Sequence, residues 1–332
     1  MIPQTELIWQ EQSWQQAMQD CITSGDELCR LLGLDPQQLA TDCNPGFPLK
    51  VPRAMLGRMQ RGNANDPVLL QVLARNQEHL PQPGALDDPL QEAHFSPLPG
   101  LVHKYKNRLL VPFTGTCAMH CRYCFRRHFD YSSHNGGKEA WPKLFAYIRS
   151  QPQIDELILS GGDPLAAPDR LLQSFTTKLL EQTRVERIRV HSRLPVFIPQ
   201  RITEELISWM RLARSPVMVL HINHPAELSE PLADAVSKLS QAGIRVLNQA
   251  VLLKGVNDSA EVQAQLCRRL FDMQIQPYYL HLLDPVRGAM HFEVAPGEAE
   301  TIYNGMKAAL SGYMLPALVR EQPGEVSKTR IW

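Results

Sequence analysis

From Arg108 onward, six short runs of β-branched and aliphatic residues alternate with amphipathic stretches of helical period, and nothing else in the chain restricts its fold as much. The runs are Arg108 to Phe113, Glu156 to Ser160, Arg187 to His191, Val217 to Ile222, Ile244 to Ala250, and Ile275 to Leu280. Between them, Trp141, Leu144, Phe145 and Ile148 follow the i, i+3, i+4, i+7 spacing that puts apolar side chains on one helix face. Leu172, Phe175 and Leu179 repeat the theme, as do Leu206, Trp209 and Met210. Strands alternating with helices run parallel and cross over right-handedly. Six such units predict an α/β fold, a partial (β/α)6 barrel rather than a complete eight-stranded one. In barrels of this kind chemistry gathers where strands end. Cys117, Gly161 to Asp163, His191, His221 with Asn223, Asn248 with Gln249, and Asp284 all fall at or just after predicted strand ends.

The first hundred residues read as a helical and then loop-rich extension. Two capping boxes are expected, Ser13 with Gln16 and Ser24 with Glu27, the second ahead of Leu28, Leu31 and Leu32. Between Asn76 and Gly100, Pro81, Pro83, Pro89, Pro97 and Pro99 forbid long helices and imply an extended connection over the main domain. The expected division is 1–100 for the extension, 101–315 for the barrel and 316–332 for a C-terminal segment.

Membrane insertion is not expected: 44% hydrophobic and 20% charged residues are ordinary for a globular protein, and no apolar stretch approaches the roughly 20 residues that span a bilayer. Met1 to Gln12 lacks the basic start and apolar run of a signal peptide, which predicts a cytoplasmic protein. In that reducing compartment seven cysteines read as thiols or metal ligands. Cys21, Cys29, Cys43 and Cys267 stand alone and read as packing thiols. With 34 acidic and 34 basic residues there is no net field to attract nucleic acid or an acidic membrane, which leaves small-molecule chemistry.

Cys117, Cys121 and Cys124 place three thiols within eight residues, just past a strand. Three thiolates can ligate three corners of a [4Fe-4S] cubane and leave one iron open. The alternative is a closed zinc site, with His120 or His128 as fourth ligand.

The spacing Cys-x-x-x-Cys-x-x-Cys resembles the signature of the radical S-adenosylmethionine superfamily. That resemblance implies S-adenosylmethionine bound at the open iron and cleaved to a 5′-deoxyadenosyl radical, with a reductant such as flavodoxin as electron donor. Ser160, Gly161, Gly162 and Asp163 resemble the glycine-rich strand that contacts its methionyl amino group. His221 and Gln249 match positions lining the same cofactor.

Further segments resemble the lysine 2,3-aminomutase family over about Val51 to Thr329. They are 103–108, 124–127, 191–196, 248–253 with 255–258, Asp284 with Gly288, and His291 with Phe292. The closest likeness is to the branch that supplies β-lysine to the ligase modifying elongation factor P, which has a short C-terminus. This implies conversion of (S)-α-lysine to (R)-β-lysine by a 1,2-amino shift across a pyridoxal phosphate imine. Lys328 is then the Schiff-base lysine. It must lose its proton, which burial or a neighbouring cation promotes, so the tail is expected to fold back over the barrel mouth. Arg108, Lys104 and Tyr105 are implied at the pyridoxal phosphate group. Arg126 is implied on the substrate carboxylate, where a guanidinium fork suits two oxygens. Asp284 and Glu321 are implied at the distal ammonium, Glu321 standing where the family pattern has aspartate.

Three other readings stay open at the level of sequence. One is a metal-dependent barrel hydrolase using His191, His221, His224, His281 or His291. Another is a cluster-bearing redox protein without catalysis. The third is an aminomutase acting on arginine or releasing free β-lysine.

Overall fold

The computed structural model describes residues 13–41, 46–131 and 137–331. Cys43 and the segment read as lacking a signal peptide, Met1 to Gln12, lie outside them. The extension opens with a short ribbon, β1 (Cys21–Ile22) against β2 (Val51–Pro52). The main sheet has nine strands: β3 (Val102–Tyr105), β4 (Arg108–Thr114), β5 (Glu156–Gly161), β6 (Arg187–Ser192), β7 (Ser215–His221), β8 (Arg245–Val251), β9 (Gln276–His281), β10 (Ala317–Arg320) and β11 (Thr329–Arg330).

All six predicted strands are present, each within two residues of its expected bounds, and they run parallel in chain order. A further parallel strand, β10, follows the helix Pro296–Ala309. The two ends of the sheet are antiparallel, β3 on β4 and β11 on β10, so the chain turns back on itself at its C-terminal end. The hydrogen-bonded order runs from β11 to β3 without joining those two strands. The result is an open, partial barrel.

The crossover helices bury the faces their spacing predicts: Trp141, Leu144, Phe145 and Ile148 in Trp141–Ser150, and Leu172, Phe175 and Leu179 in Asp169–Gln182. Phe175 makes edge contacts at 5.2 Å with both Phe113 of β4 and Trp141. The core thus lies between the outer face of the sheet and its helices, leaving the inner face for polar residues. In the extension, Ser13 and Gln16 form a full capping box. Ser24 accepts only the Glu27 N–H, because the Glu27 carboxylate is taken by Arg53 at 2.6 Å. The proline-rich connection contains only single 3-10 turns, Asn76–His79 and Glu92–Phe95. No helix among the described residues is long and apolar enough to cross a membrane.

Candidate active site at the carboxyl rim of the sheet

The cysteine loop leaves β4 over the turn that ends β5. Gly162 N donates to Thr114 O at 2.7 Å and Asp163 N to Thr116 O at 2.8 Å. A Cβ on Gly162 would lie 2.6 Å from Thr116 O, and one on Gly161, at φ +114°, 2.7 Å from Thr114 O. Only glycine permits this backbone approach. The Asp163 carboxylate accepts from Leu165 N, Ser192 Oγ, Arg193 N and Leu194 N at 2.7–3.0 Å. Burial still pushes its carboxyl up, against those bonds. Asp163 is therefore engaged in tying β5 to the end of β6.

Cys117, Cys121 and Cys124 lie close enough to influence one another electrostatically. Burial, followed by the neighbouring cysteines, raises the Cys117 thiol, and burial with Cys121 pushes Cys124 up to about 11. Thiols raised in this way ionise readily only beside a cationic centre. The Arg193 guanidinium donates to Cys121 Sγ at 2.8 Å. His120 Nδ1 is directed to Pro48 O at 2.8 Å and His128 Nε2 to Arg287 O at 3.0 Å. Among the described residues no three His, Cys, Asp or Glu side chains converge on a single ion, including the histidines of the hydrolase reading. A cubane instead binds each thiolate at a different iron, so its ligands stand further apart.

Three arginines in and beside the cysteine motif are buried, and buried charge requires a partner. Arg122 makes a two-pronged pair with Glu78 at 2.7 and 2.6 Å, and Arg127 reaches the same carboxylate at 2.6 Å. Arg126 gives Nε and Nη2 to Glu92 at 2.7 and 2.6 Å, and Nη1 to Ser160 Oγ at 3.1 Å. The fork expected to receive a substrate carboxylate is thus already occupied, which leaves Nη1 as the donor turned toward β5. The N-terminal extension supplies both acids. The sequence reading missed Glu78 and Glu92, and the only signal for them was the trio Arg122, Arg126 and Arg127 around cysteines.

Alternate residues of a strand face the same way, so Arg189 and His191 share one face of β6, and His221 at the end of β7 pairs in register with Gln249 of β8. Gln249 Nε2 lies 3.1 Å from His221 Nε2, and the His191 and His221 rings are 5.8 Å apart. Burial, then the cations Arg193 and Arg126, lowers His221 to about 3. His191 and His281 are likewise lowered, and each has a buried Nε2 without a protein partner. Arg108, at the start of β4, stacks 4.1 Å from the Tyr105 ring and donates to Asn107.

Glu321, just past β10, gathers the C-terminal charges. One carboxylate oxygen accepts from Lys104 at 3.0 Å and from Tyr105 OH at 2.7 Å, and the other pairs with Lys328. Burial alone would raise this carboxyl, but Lys328 and Lys104 win and hold it well below the carboxylate range. Asp284 lies beside the group: burial lifts it to about 7, with Lys328 opposing and Glu321 reinforcing the shift. Lys328 is partly buried, its amine 5.8 Å from the Tyr279 ring centre, and its paired neighbour is the Glu321 carboxylate; of the two features expected to promote loss of its proton, burial or a neighbouring cation, partial burial is present. Lys104 and Tyr105, expected at a phosphate, are drawn to Glu321.

Residues 111–264 match the sequence profile of the Radical SAM superfamily. The chain is 45% identical to the L-lysine 2,3-aminomutase of Escherichia coli (strain K12), over 96% of this chain and 94% of that protein. It is 42% identical to the enzyme of the same name from Haemophilus influenzae, over 99% and 98%. The chain belongs to the lysine 2,3-aminomutase family. Identity to the Clostridium subterminale L-lysine 2,3-aminomutase is 34%, over 97% of this chain and 78% of that one. As a radical S-adenosylmethionine aminomutase it is an isomerase. The cofactors of this family are a [4Fe-4S] cluster, S-adenosylmethionine and pyridoxal phosphate, and the residues fit them. Three thiols carried on one loop just past a strand suit a cluster. The unpaired His191 and His281 nitrogens, with the Lys328 amine near by, suit a polar organic cofactor in the barrel.

Proposed function

We propose that the protein converts (S)-α-lysine to (R)-β-lysine. One observation carries the substrate: Glu321, with Asp284 close by, already holds a lysine ammonium, that of Lys328. A pocket built for one alkylammonium suits another, and its acids repel a glutamate side chain.

In this reading Cys117, Cys121 and Cys124 hold the cluster, and Ser160, Gly161, Gly162, His221 and Gln249 line the S-adenosylmethionine site. Asp163 fixes that turn from behind. Bound cofactors supply radical hydrogen abstraction and a conjugated system across which an amino group migrates. The protein's residues do the rest. Arg126 Nη1 anchors the substrate carboxylate, while Asp284 and Glu321 fix the distal ammonium, so both ends of the substrate are held against opposite charge. Lys328 is the cofactor lysine and Arg108 the phosphate partner. Lys104 and Tyr105, given their bonds to Glu321, order that carboxylate. The barrel walls exclude water from the reacting atoms.

The motif likeness described above favours the branch that serves elongation factor P through its β-lysine ligase, with a flavodoxin-type reductant. Reconstituted protein, given L-lysine, S-adenosylmethionine, pyridoxal phosphate and strong reductant without oxygen, is expected to yield (R)-β-lysine on chiral chromatography. Cleavage of S-adenosylmethionine with lysine untouched, or with arginine consumed instead, refutes the substrate. Elongation factor P still β-lysylated in cells lacking the gene refutes the cellular role.

A further inference from the structure

Arg193 is buried and tightly constrained. Nη1 donates to Cys121 Sγ at 2.8 Å, and Nη2 to Gln71 Oε1 at 2.7 Å and Glu227 Oε2 at 2.9 Å. Tyr123 and Phe197 flank the guanidinium at 5.6 and 5.5 Å. Its partners are equally fixed. The other Glu227 oxygen accepts from Asn223 N, His224 N and Gln71 Nε2 at 3.0–3.1 Å, and Gln71 O accepts from Arg122 N of the cysteine loop at 2.8 Å. This network joins the extension, the end of β6 and the segment after β7 to one sulfur of the motif.

A cluster's reduction potential depends on hydrogen bonds to its sulfurs, on nearby charge and on exposure to solvent. A cation that donates an N–H to a ligating thiolate favours the reduced state, which carries one more negative charge. We infer that Arg193 is a positioning residue that orients Cys121 and raises the potential of the cluster, with Glu227 setting how much of its charge the cluster feels. This rests on the reading of Cys117, Cys121 and Cys124 as cluster ligands. Guanidinium has no accessible neutral form to switch the effect off, so the contribution is constant with pH.

The test is the midpoint potential of the reconstituted full-length protein, followed by redox titration and low-temperature electron paramagnetic resonance, with iron and sulfide counted for each sample. Arg193→Gln is expected to make reduction harder by about tenfold in equilibrium constant, or about 59 mV more negative for a one-electron couple. Glu227→Gln keeps the guanidinium and removes the opposing charge, so its potential is expected to move the other way. Arg193→Lys, which keeps charge without the fork, is expected to fall between wild type and Arg193→Gln. Fully loaded Arg193→Gln with an unchanged potential overturns the inference. Potentials of both variants moving in the same direction also overturn it, because that marks general loosening of the site. If Arg193→Gln does not hold a cluster, the sign for Glu227→Gln decides. Wild-type protein that binds neither iron nor sulfide overturns the cluster reading itself.

Discussion

Replacing Glu92 by glutamine tests whether the extension takes part in substrate capture. Glu92 and Arg126 have side chains 8% and 6% exposed and share two short charge-assisted bonds. Arginine stays charged when its partner is removed, so the variant leaves a buried cation facing one amide oxygen in place of a carboxylate. Breaking a buried pair typically costs about 3–5 kcal/mol, and because glutamine retains one acceptor we expect the lower end, about 3 kcal/mol. Domains are typically stable by about 5–15 kcal/mol, so the variant should fold with a lower denaturant midpoint. Freed from Glu92, the guanidinium can turn away from Ser160. A loss of about 1.4 kcal/mol in carboxylate binding raises the KM for lysine about tenfold, while cluster content should not change. The double variant Glu92→Gln/Arg126→Gln should recover part of the stability, since it no longer buries an unpaired charge. An unchanged midpoint together with an unchanged KM refutes the reasoning.

Gly162→Ala forces a Cβ to within 2.6 Å of a backbone oxygen, so the root of the cysteine loop must move; iron content after reconstitution is expected to fall, and full loading counts against it. Lys328→Ala is expected to retain the cluster's visible absorption but lose that of lysine-bound pyridoxal phosphate, and full turnover of this variant would remove Lys328 from its role. Asp284, lifted to about 7 by burial and then opposed by Lys328, is protonated more readily folded than unfolded, so its contribution to stability is largest below about pH 4 and fades as pH rises through 7. Ammonium binding needs the ionised form, so the KM for lysine should fall as pH rises through 7; the same profile in Asp284→Asn would exclude this group as the cause.

The strand and helix pattern was legible because period two and period 3.6 are local properties, which is why all six predicted runs reappear. The cysteine loop and the glycine turn were legible for a similar reason, being short contiguous motifs. What pairs with the arginines was not. Glu92 lies 34 residues from Arg126, and Glu227 lies 34 from Arg193. Glu92 also sits in a proline-rich segment whose sequence indicates only that long helices are absent. The strand β10 has four residues and follows Pro316, so it lacks a run long enough to stand out from the tail. Arg189 sits one step before His191 in the same inward register, a period-two signal that was present but given no role.

Glu321 brings the remaining pieces together. Strands β3 and β11 end the sheet without pairing, yet Lys104 and Tyr105 of β3 reach Glu321 beyond β10, 217 and 216 residues away in sequence. One side chain therefore bridges a gap that the backbone leaves open. Aspartate, one methylene shorter, would have to draw the edges closer to keep the same bonds. Because Glu321 is held below its ordinary range, its stabilising effect is present above the unfolded carboxylate value and is lost only as pH falls through the lower folded one. At neutral pH the bridge is thus fully charged. Its second oxygen is occupied by Lys328, and in the proposed function that amine is needed at the cofactor. Drawing Lys328 away exposes one carboxylate oxygen beside Asp284, and the ammonium of a substrate lysine has the charge and donors to replace it. Loading the cofactor lysine and opening the substrate site would then be a single exchange of ammonium groups on Glu321, with Lys104 and Tyr105 holding the carboxylate still while the partners change.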